Sequence, residues 1–98
     1  MSRKPEDCAS MDAVRAEIDR IDTAVITLLS ERWAYVNRAA DFKASAEEVS
    51  VPWRNVEVIA KVRTEAEAKG LPADLAETLW RNIISTAIHH EKTKLDGS

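Results

Sequence analysis

The feature that most constrains the fold is a long first half without helix-breaking residues. No glycine or proline occurs between Pro5 and Pro52. Apolar residues recur through this stretch at spacings of three and four, which is typical of one face of an α-helix. With Ser10 as N-cap, the pattern predicts a first helix from about residue 11 to about residue 43. The repeating apolar positions are Met11, Val14, Ile18, Ile21, Val25, Leu28, Leu29, Val36 and Ala39.

Two shorter helices are predicted to follow. Residues 45–52 have the composition of a connection, and Pro52 fits the first turn of a second helix. Gly70 suits the end of that helix, and a third helix then extends to about Leu95. We therefore expect an all-α fold and a single domain over residues 1–98.

The length of the first helix favours an oligomer. About 33 helical residues would span about 50 Å, at 1.5 Å per residue. A compact domain of about 100 residues has a radius of gyration of only about 13 Å. A second copy, packed with two-fold symmetry, would cover the apolar stripe along the overhang. We expect a three-helix protomer with a very long first helix, assembled into an intertwined homodimeric helical bundle.

Composition excludes several classes of function. Fourteen basic against 17 acidic residues give a net charge of −3, which argues against a general nucleic-acid binder. No apolar run approaches the roughly 18 residues of a membrane span, and the first residues lack a secretory signal. The single cysteine, Cys8, excludes an internal disulfide and fits a reducing cytoplasm. The sequence His89-His90-Glu91 resembles a metal site, but adjacent helical side chains point about 100° apart. We expect a solvated helix end there and no metal.

Three charged residues occupy positions where the periodicity predicts core: Arg32, Lys43 and Glu91. Burying a charge costs several kcal/mol unless the charge is paired. Three such residues facing one interior indicate a site for a charged ligand. Arg32 and Lys43 are 11 residues apart, close to three helical turns, so they share a face. The gap between them suits a small molecule with two anionic groups.

Two further cations are candidates for the same site. Arg15 lies 17 residues before Arg32, about 25 Å along a helix. It would therefore reach the site of a partner subunit in an antiparallel dimer. Arg54 lies beside the connection, at the start of the second helix. The alternative for each arginine is a salt bridge or a snorkelling side chain; for Arg15, Glu17 is one available partner.

These residues resemble the all-helical (AroQ-class) chorismate mutases. The family's active-site spacing is matched by Arg15, Arg32 and Lys43, and the resemblance covers nearly the whole chain. Within the family, residues 5–8 and 42–45 are similar to the isochorismate pyruvate lyase branch, which makes salicylate. The family fold is an intertwined helical dimer with two equivalent sites.

The resemblance also implies a role for each candidate residue. Arg32 and Lys43 would bind the carboxylates and the ether oxygen of a small dicarboxylate substrate. Arg15 would come from the partner protomer, and Arg54 from the connection that closes over the ligand. Glu91 would touch the ether oxygen. Because only a protonated carboxyl donates a hydrogen bond, activity is expected to fall as pH rises through neutrality.

Two substrate-binding positions depart from the family pattern, and a third bears on the choice of branch. Asn55 stands where mutases commonly carry a carboxylate for the ring hydroxyl, and Ala87 stands where serine is frequent. Both departures fit the lyase branch. Glu91 stands where lyase-like members tend to carry glutamine, so the mutase alternative stays open.

The resemblance thus implies a pericyclic enzyme that needs no cofactor. The leading expectation is isochorismate pyruvate lyase activity, which yields salicylate and pyruvate and would serve salicylate or siderophore biosynthesis. The alternative is a dedicated chorismate mutase that makes prephenate. A third possibility is a non-catalytic dimerisation or regulatory module in which the same cations form interface salt bridges.

Overall fold

The computed structural model describes residues 2–43 and 51–95, and both stretches are helical, with no strand in either. The expected all-α class with three helices is confirmed. The second helix begins at Pro52, as predicted, whereas most of the expected connection at 45–52 lies outside the described residues. In chain order, a short 3₁₀ turn at Pro5–Asp7 precedes α1 (Met11–Ala40), α2 (Pro52–Ala68) and α3 (Ala73–Leu95).

The first helix starts as predicted and ends earlier than predicted. The Ser10 side-chain hydroxyl accepts a hydrogen bond from the Ala13 amide at 3.1 Å, which makes Ser10 the N-cap. At the other end α1 stops at Ala40 rather than near residue 43. The next three amides, ending with Lys43, bond carbonyls only three residues back, at 3.1–3.2 Å. This tightened last turn satisfies the terminal carbonyls, and apolar spacing alone does not reveal it.

Gly70 reverses the chain between α2 and α3. Its φ of +77° is left-handed, a conformation that glycine adopts without the strain of a Cβ atom. The Leu71 amide bonds the Ala66 carbonyl at 2.8 Å, and the Gly70 amide bonds the Glu67 carbonyl at 3.3 Å. This pair of bonds is a Schellman motif. It ends α2 where the sequence predicted and lets α3 pack back along α2.

The chain divides into two compact units, Met1–Tyr35 and Val36–Ser98, with the boundary inside α1. The first unit contains the 3₁₀ turn and most of α1. The second contains the end of α1 together with α2 and α3. The expectation of one domain over residues 1–98 stays a prediction.

Burial in the single chain is confined to small side chains and one acid. The buried apolar residues among those described are Ala40, Ala66, Ala76 and Ala87, and the buried charged residue is Glu91. By contrast, most of the large apolar residues on the stripe of α1 are exposed, up to 64% for Leu28, whereas Leu29 and Val36 are half-buried. No helix within residues 2–43 and 51–95 is long and apolar enough to cross a membrane.

Candidate active site

A part-buried ion pair joins the turn after α1 to α3 in the second unit. The Lys43 ammonium lies 2.7 Å from Oε2 of Glu91. Glu91 is only 5% exposed, whereas the Lys43 side chain is 22% exposed. At this distance the contact is a charge-assisted hydrogen bond, and it offsets the cost of burying the Glu91 carboxylate. The structure therefore brings together two of the three charged residues that the periodicity assigned to an interior.

A second set of polar contacts lies beside this pair. The His90 ring nitrogen Nε2 is 2.6 Å from Oδ1 of Asn37. The Lys94 ammonium donates to the Asn37 backbone carbonyl at 3.3 Å and lies 3.5 Å from the Asp41 carboxylate. These contacts join the last turn of α1 to the last two turns of α3.

His90 and Asn37 are functional candidates that sequence reasoning missed. The expectation of a solvated helix end at residues 89–91 was wrong for His90, which is half-buried, and for Glu91, which is buried as the apolar periodicity had predicted; His89 is exposed. A signal was present, because His90 lies three residues after Ala87, at the spacing of one helix face. Reading the three polar residues as one solvated group concealed it.

The turn after α1 is stabilised by its own charges. Arg38 donates to the Asp41 carboxylate at 3.2 Å, and its guanidinium lies 4.7 Å from the centre of the Phe42 ring. The hydrogen bond from Arg38, and then the positive charge of Lys94, lower the pKa of the Asp41 carboxyl. Asp41 is therefore anionic at neutral pH and holds the turn that carries Lys43.

The start of α2 carries two other predicted site residues. Arg54 is exposed and forms an ion pair with Glu57, one turn further along the helix. Asn55 is half-buried and lines a groove of about 490 Å³ between α2 and α3. On α3, the predicted contact Ala87 is buried one turn before Glu91. The groove is lined by Asn55, Val56, Ile59, Ala60, Arg63, Arg81, Ile84, Ser85 and Ile88.

The two arginines of this groove already have acidic partners. Arg63 contacts both Asp74 and Glu77 at 2.9 Å, and Arg81 contacts the other oxygen of Glu77 at 2.6 Å. Hydrogen bonds from Arg81 and then Arg63 lower the pKa of the Glu77 carboxyl. This network joins α2 to α3.

Arg15 and Arg32 belong to the first unit. Arg15 is exposed and Arg32 is half-buried. Glu17, the available partner for Arg15, instead accepts hydrogen bonds from the Arg20 side chain and the Arg3 amide, both at 3.0 Å. Within the described part of that unit, neither Arg15 nor Arg32 forms an ion pair.

The described part of the chain provides no set of side chains that could bind a metal ion. Across residues 2–43 and 51–95, no three His, Cys, Asp or Glu side chains are grouped so that they could hold a metal ion. The described titratable groups instead form ion pairs, among them Lys43–Glu91 and the network of Arg63, Asp74, Glu77 and Arg81.

Sequence comparison supplies the family. Residues 14–92 match the family model for chorismate mutase type II. The chain therefore belongs to the type II chorismate mutase family, and the resemblance seen in Arg15, Arg32 and Lys43 is confirmed.

Three curated relatives indicate which activities occur among similar chains. The isochorismate pyruvate lyase of Pseudomonas aeruginosa is 37% identical over 82 residues, which covers 84% of this chain and 81% of the relative. The T-protein of Enterobacter agglomerans is 33% identical over 87 residues, or 88% of this chain. The bifunctional chorismate mutase/prephenate dehydratase of Aquifex aeolicus is 35% identical over 83 residues, or 81% of this chain. This chain spans only 23% of the length of each of the last two relatives.

Proposed function

We propose that this protein is an isochorismate pyruvate lyase that converts isochorismate to salicylate and pyruvate, with chorismate mutase activity as a second reaction. Family membership supports a pericyclic reaction on a chorismate-type dicarboxylate. The lyase of Pseudomonas aeruginosa is similar over most of both chains, which supports the lyase reaction. The observation that carries the proposal is the part-buried Lys43–Glu91 pair at 2.7 Å.

A pericyclic reaction makes limited demands on the protein. No nucleophile is needed, because bonds break and form together within the substrate. The protein must hold a flexible dianion in its reactive shape, which is a positioning effect. It must also place positive charge where negative charge develops on the ether oxygen.

The cations of this chain suit those two tasks. We assign Arg32 to one carboxylate, since a guanidinium can bind a carboxylate through two parallel hydrogen bonds. Arg15 of the partner subunit would bind the other carboxylate. Arg54 would exchange its ion pair with Glu57 for the ligand.

Lys43 is assigned to the ether oxygen. An ammonium has three donors, so Lys43 can keep its contact with Glu91 and still donate to the substrate. Loss of this donor should raise the barrier by about 3–4 kcal/mol, by analogy with the loss of an oxyanion-hole donor. Glu91 can then contribute in either of two protonation states. As a protonated acid it would donate to the same oxygen, and as a carboxylate it would only hold Lys43.

The second candidate function is a dedicated chorismate mutase. It is favoured by Glu91, which stands where the lyase branch tends to have glutamine, and by the Aquifex aeolicus relative, whose name includes chorismate mutase. Chorismate and isochorismate differ in the position of the ring hydroxyl. Mutases commonly carry a carboxylate for that hydroxyl at the position that Asn55 occupies here, so Asn55 bears on which substrate is bound.

We further propose that the active form is a homodimer. The stripe residues Ile18, Ile21, Val25 and Leu28 are 45–64% exposed in the single chain. Burying a side chain of this size contributes about 1.5–3 kcal/mol, so covering the stripe with a second copy is strongly favourable. Sedimentation equilibrium should give a particle of twice the 10.9 kDa chain mass. A monomer at all concentrations would contradict the proposal.

Product identification tests the reaction itself. The purified protein is incubated separately with isochorismate and with chorismate, at pH 5 and at pH 8, and the products are separated by chromatography. Salicylate with pyruvate from isochorismate supports the lyase. Prephenate from chorismate without salicylate makes the protein a mutase. No turnover of either substrate by a folded dimer would overturn both and favour the non-catalytic module.

A further inference from the structure

A group of four polar residues ties the end of α1 to α3 beside the Lys43–Glu91 pair, and we name it the polar clamp: Asn37, Asp41, His90 and Lys94. Its central contact is the 2.6 Å bond between His90 Nε2 and Asn37 Oδ1. Lys94 reinforces that contact, because its ammonium donates to the Asn37 backbone carbonyl and also lies beside the Asp41 carboxylate. Lys94 and Asp41 are partly exposed, whereas His90 and Asn37 are half-buried.

Lys43 needs such support because the helix does not hold it. It lies three residues beyond the last residue of α1, and its amide bonds only the Ala40 carbonyl, at 3.2 Å. Its side chain has four rotatable carbon–carbon bonds, so the ammonium position depends on where the turn sits against α3. The clamp fixes that turn from Asn37 and Asp41.

His90 also supports the other member of the pair. It directly precedes Glu91 on α3, and neighbouring helical side chains point about 100° apart. One side chain therefore faces Asn37 while the next faces Lys43. The hydrogen bond at His90 thus helps to set the distance between the two segments that carry the ammonium and the carboxylate.

We propose that His90 is a positioning residue, which acts through its hydrogen bond to Asn37 to hold Lys43 against Glu91 in the reactive geometry. The Asn37 oxygen can only accept, so His90 donates its Nε2 hydrogen. The kinetic test of this proposal rests on the proposed function. That His90 holds the Lys43 ammonium in place can also be tested in the ligand-free protein, without any activity.

The experiment compares three variants of the full chain. His90→Ala removes the donor. His90→Gln restores a donor at similar reach, because the glutamine amide nitrogen takes the place of Nε2. His89→Ala is the matched control, since His89 is the exposed neighbouring histidine. For each variant we measure kcat and KM with isochorismate and with chorismate, the melting temperature, and the ¹⁵N–¹H signal of the Lys43 ammonium in the ligand-free protein.

The proposal expects a specific pattern. A displacement of about 1 Å can cost up to about a hundredfold in rate, so His90→Ala should lower kcat at least about tenfold while KM changes much less. The Lys43 ammonium signal, sharp in the parent protein because the group is held, should broaden in His90→Ala. His90→Gln should recover both the rate and the signal, and His89→Ala should alter neither.

Two results would overturn the proposal. One is an unchanged kcat and an unchanged Lys43 signal in a folded His90→Ala protein. The other is a loss that His90→Gln does not recover in a folded protein, since the hydrogen bond would then not be the cause. If the parent protein turns over neither substrate, the proposed function fails, and the ammonium signal alone decides whether His90 holds Lys43.

Discussion

Removing the ammonium of Lys43 should destabilise the fold more than neutralising the carboxylate of Glu91. The two groups form one ion pair, but their burial differs: Glu91 is 5% exposed and the Lys43 side chain is 22% exposed. In Lys43→Met the carboxylate loses its partner while buried. In Glu91→Gln the ammonium keeps a neutral oxygen as acceptor and retains some access to water.

The magnitudes follow from those burials. Leaving an uncompensated buried charge is destabilising by about 3–5 kcal/mol, so Lys43→Met should lower the free energy of unfolding by about 3 kcal/mol. Exchanging a charged for a neutral acceptor loses part of a charge-assisted hydrogen bond of about 1.5–3 kcal/mol. Glu91→Gln should therefore lower the free energy of unfolding by about 1 kcal/mol.

Urea denaturation followed by circular dichroism measures both values. The chain concentration must be fixed across variants, because the stability of a dimer depends on it. Equal losses in the two variants, or a larger loss in Glu91→Gln than in Lys43→Met, would refute the reasoning.

Two other predictions concern pH and the helix turn. Glu77 has a pKa below its ordinary 4.5 in the folded chain, so its contribution to stability is present above about that pH and is lost as pH falls through the folded value. The parent should thus be more stable than Glu77→Gln in urea titrations at pH 7, and this difference should shrink as the pH falls below 4.5; a difference that stays constant would contradict this. Gly70→Ala should lower the free energy of unfolding by about 1–2 kcal/mol, because φ is +77° and an L-residue is strained there. No atom lies within 4 Å of the added Cβ, so no steric clash adds to this loss. A much larger loss in the same urea titrations would mean that backbone strain is not the cause.

Local signals predicted the helix boundaries where side-chain chemistry determines them. Ser10 caps α1, Pro52 begins α2 and Gly70 follows its end, as the sequence indicated. The end of α1 was predicted three residues too late. Lys43 keeps the spacing of the apolar stripe, but its backbone amide bonds the carbonyl three residues earlier, whereas an α-helical amide bonds the carbonyl four residues earlier. The apolar periodicity indicates on which helix face a side chain lies, but it does not indicate which backbone hydrogen bonds form.

The site was predicted in part for a similar reason. Lys43 and Glu91 were assigned to one interior because each replaces an apolar residue in a repeat, and they meet although 48 residues separate them. His90 and Asn37 escaped notice because their role depends on each other, and no local pattern links residues on different helices. Arg54 was correctly placed at the start of α2. Its ion pair with Glu57 was not predicted, because Arg54 was considered only as a cation for the ligand.

The central claim is that the Lys43–Glu91 pair is the reaction centre for a chorismate-type substrate. The most direct measurement is the single-turnover rate of salicylate formation from isochorismate by the parent and by Lys43→Ala, with the fold of each checked by circular dichroism. The account predicts salicylate from the parent and a loss of about 10²–10³ in the folded variant, the size expected for one lost donor at the developing charge. A folded Lys43→Ala protein that forms salicylate as fast as the parent would contradict it.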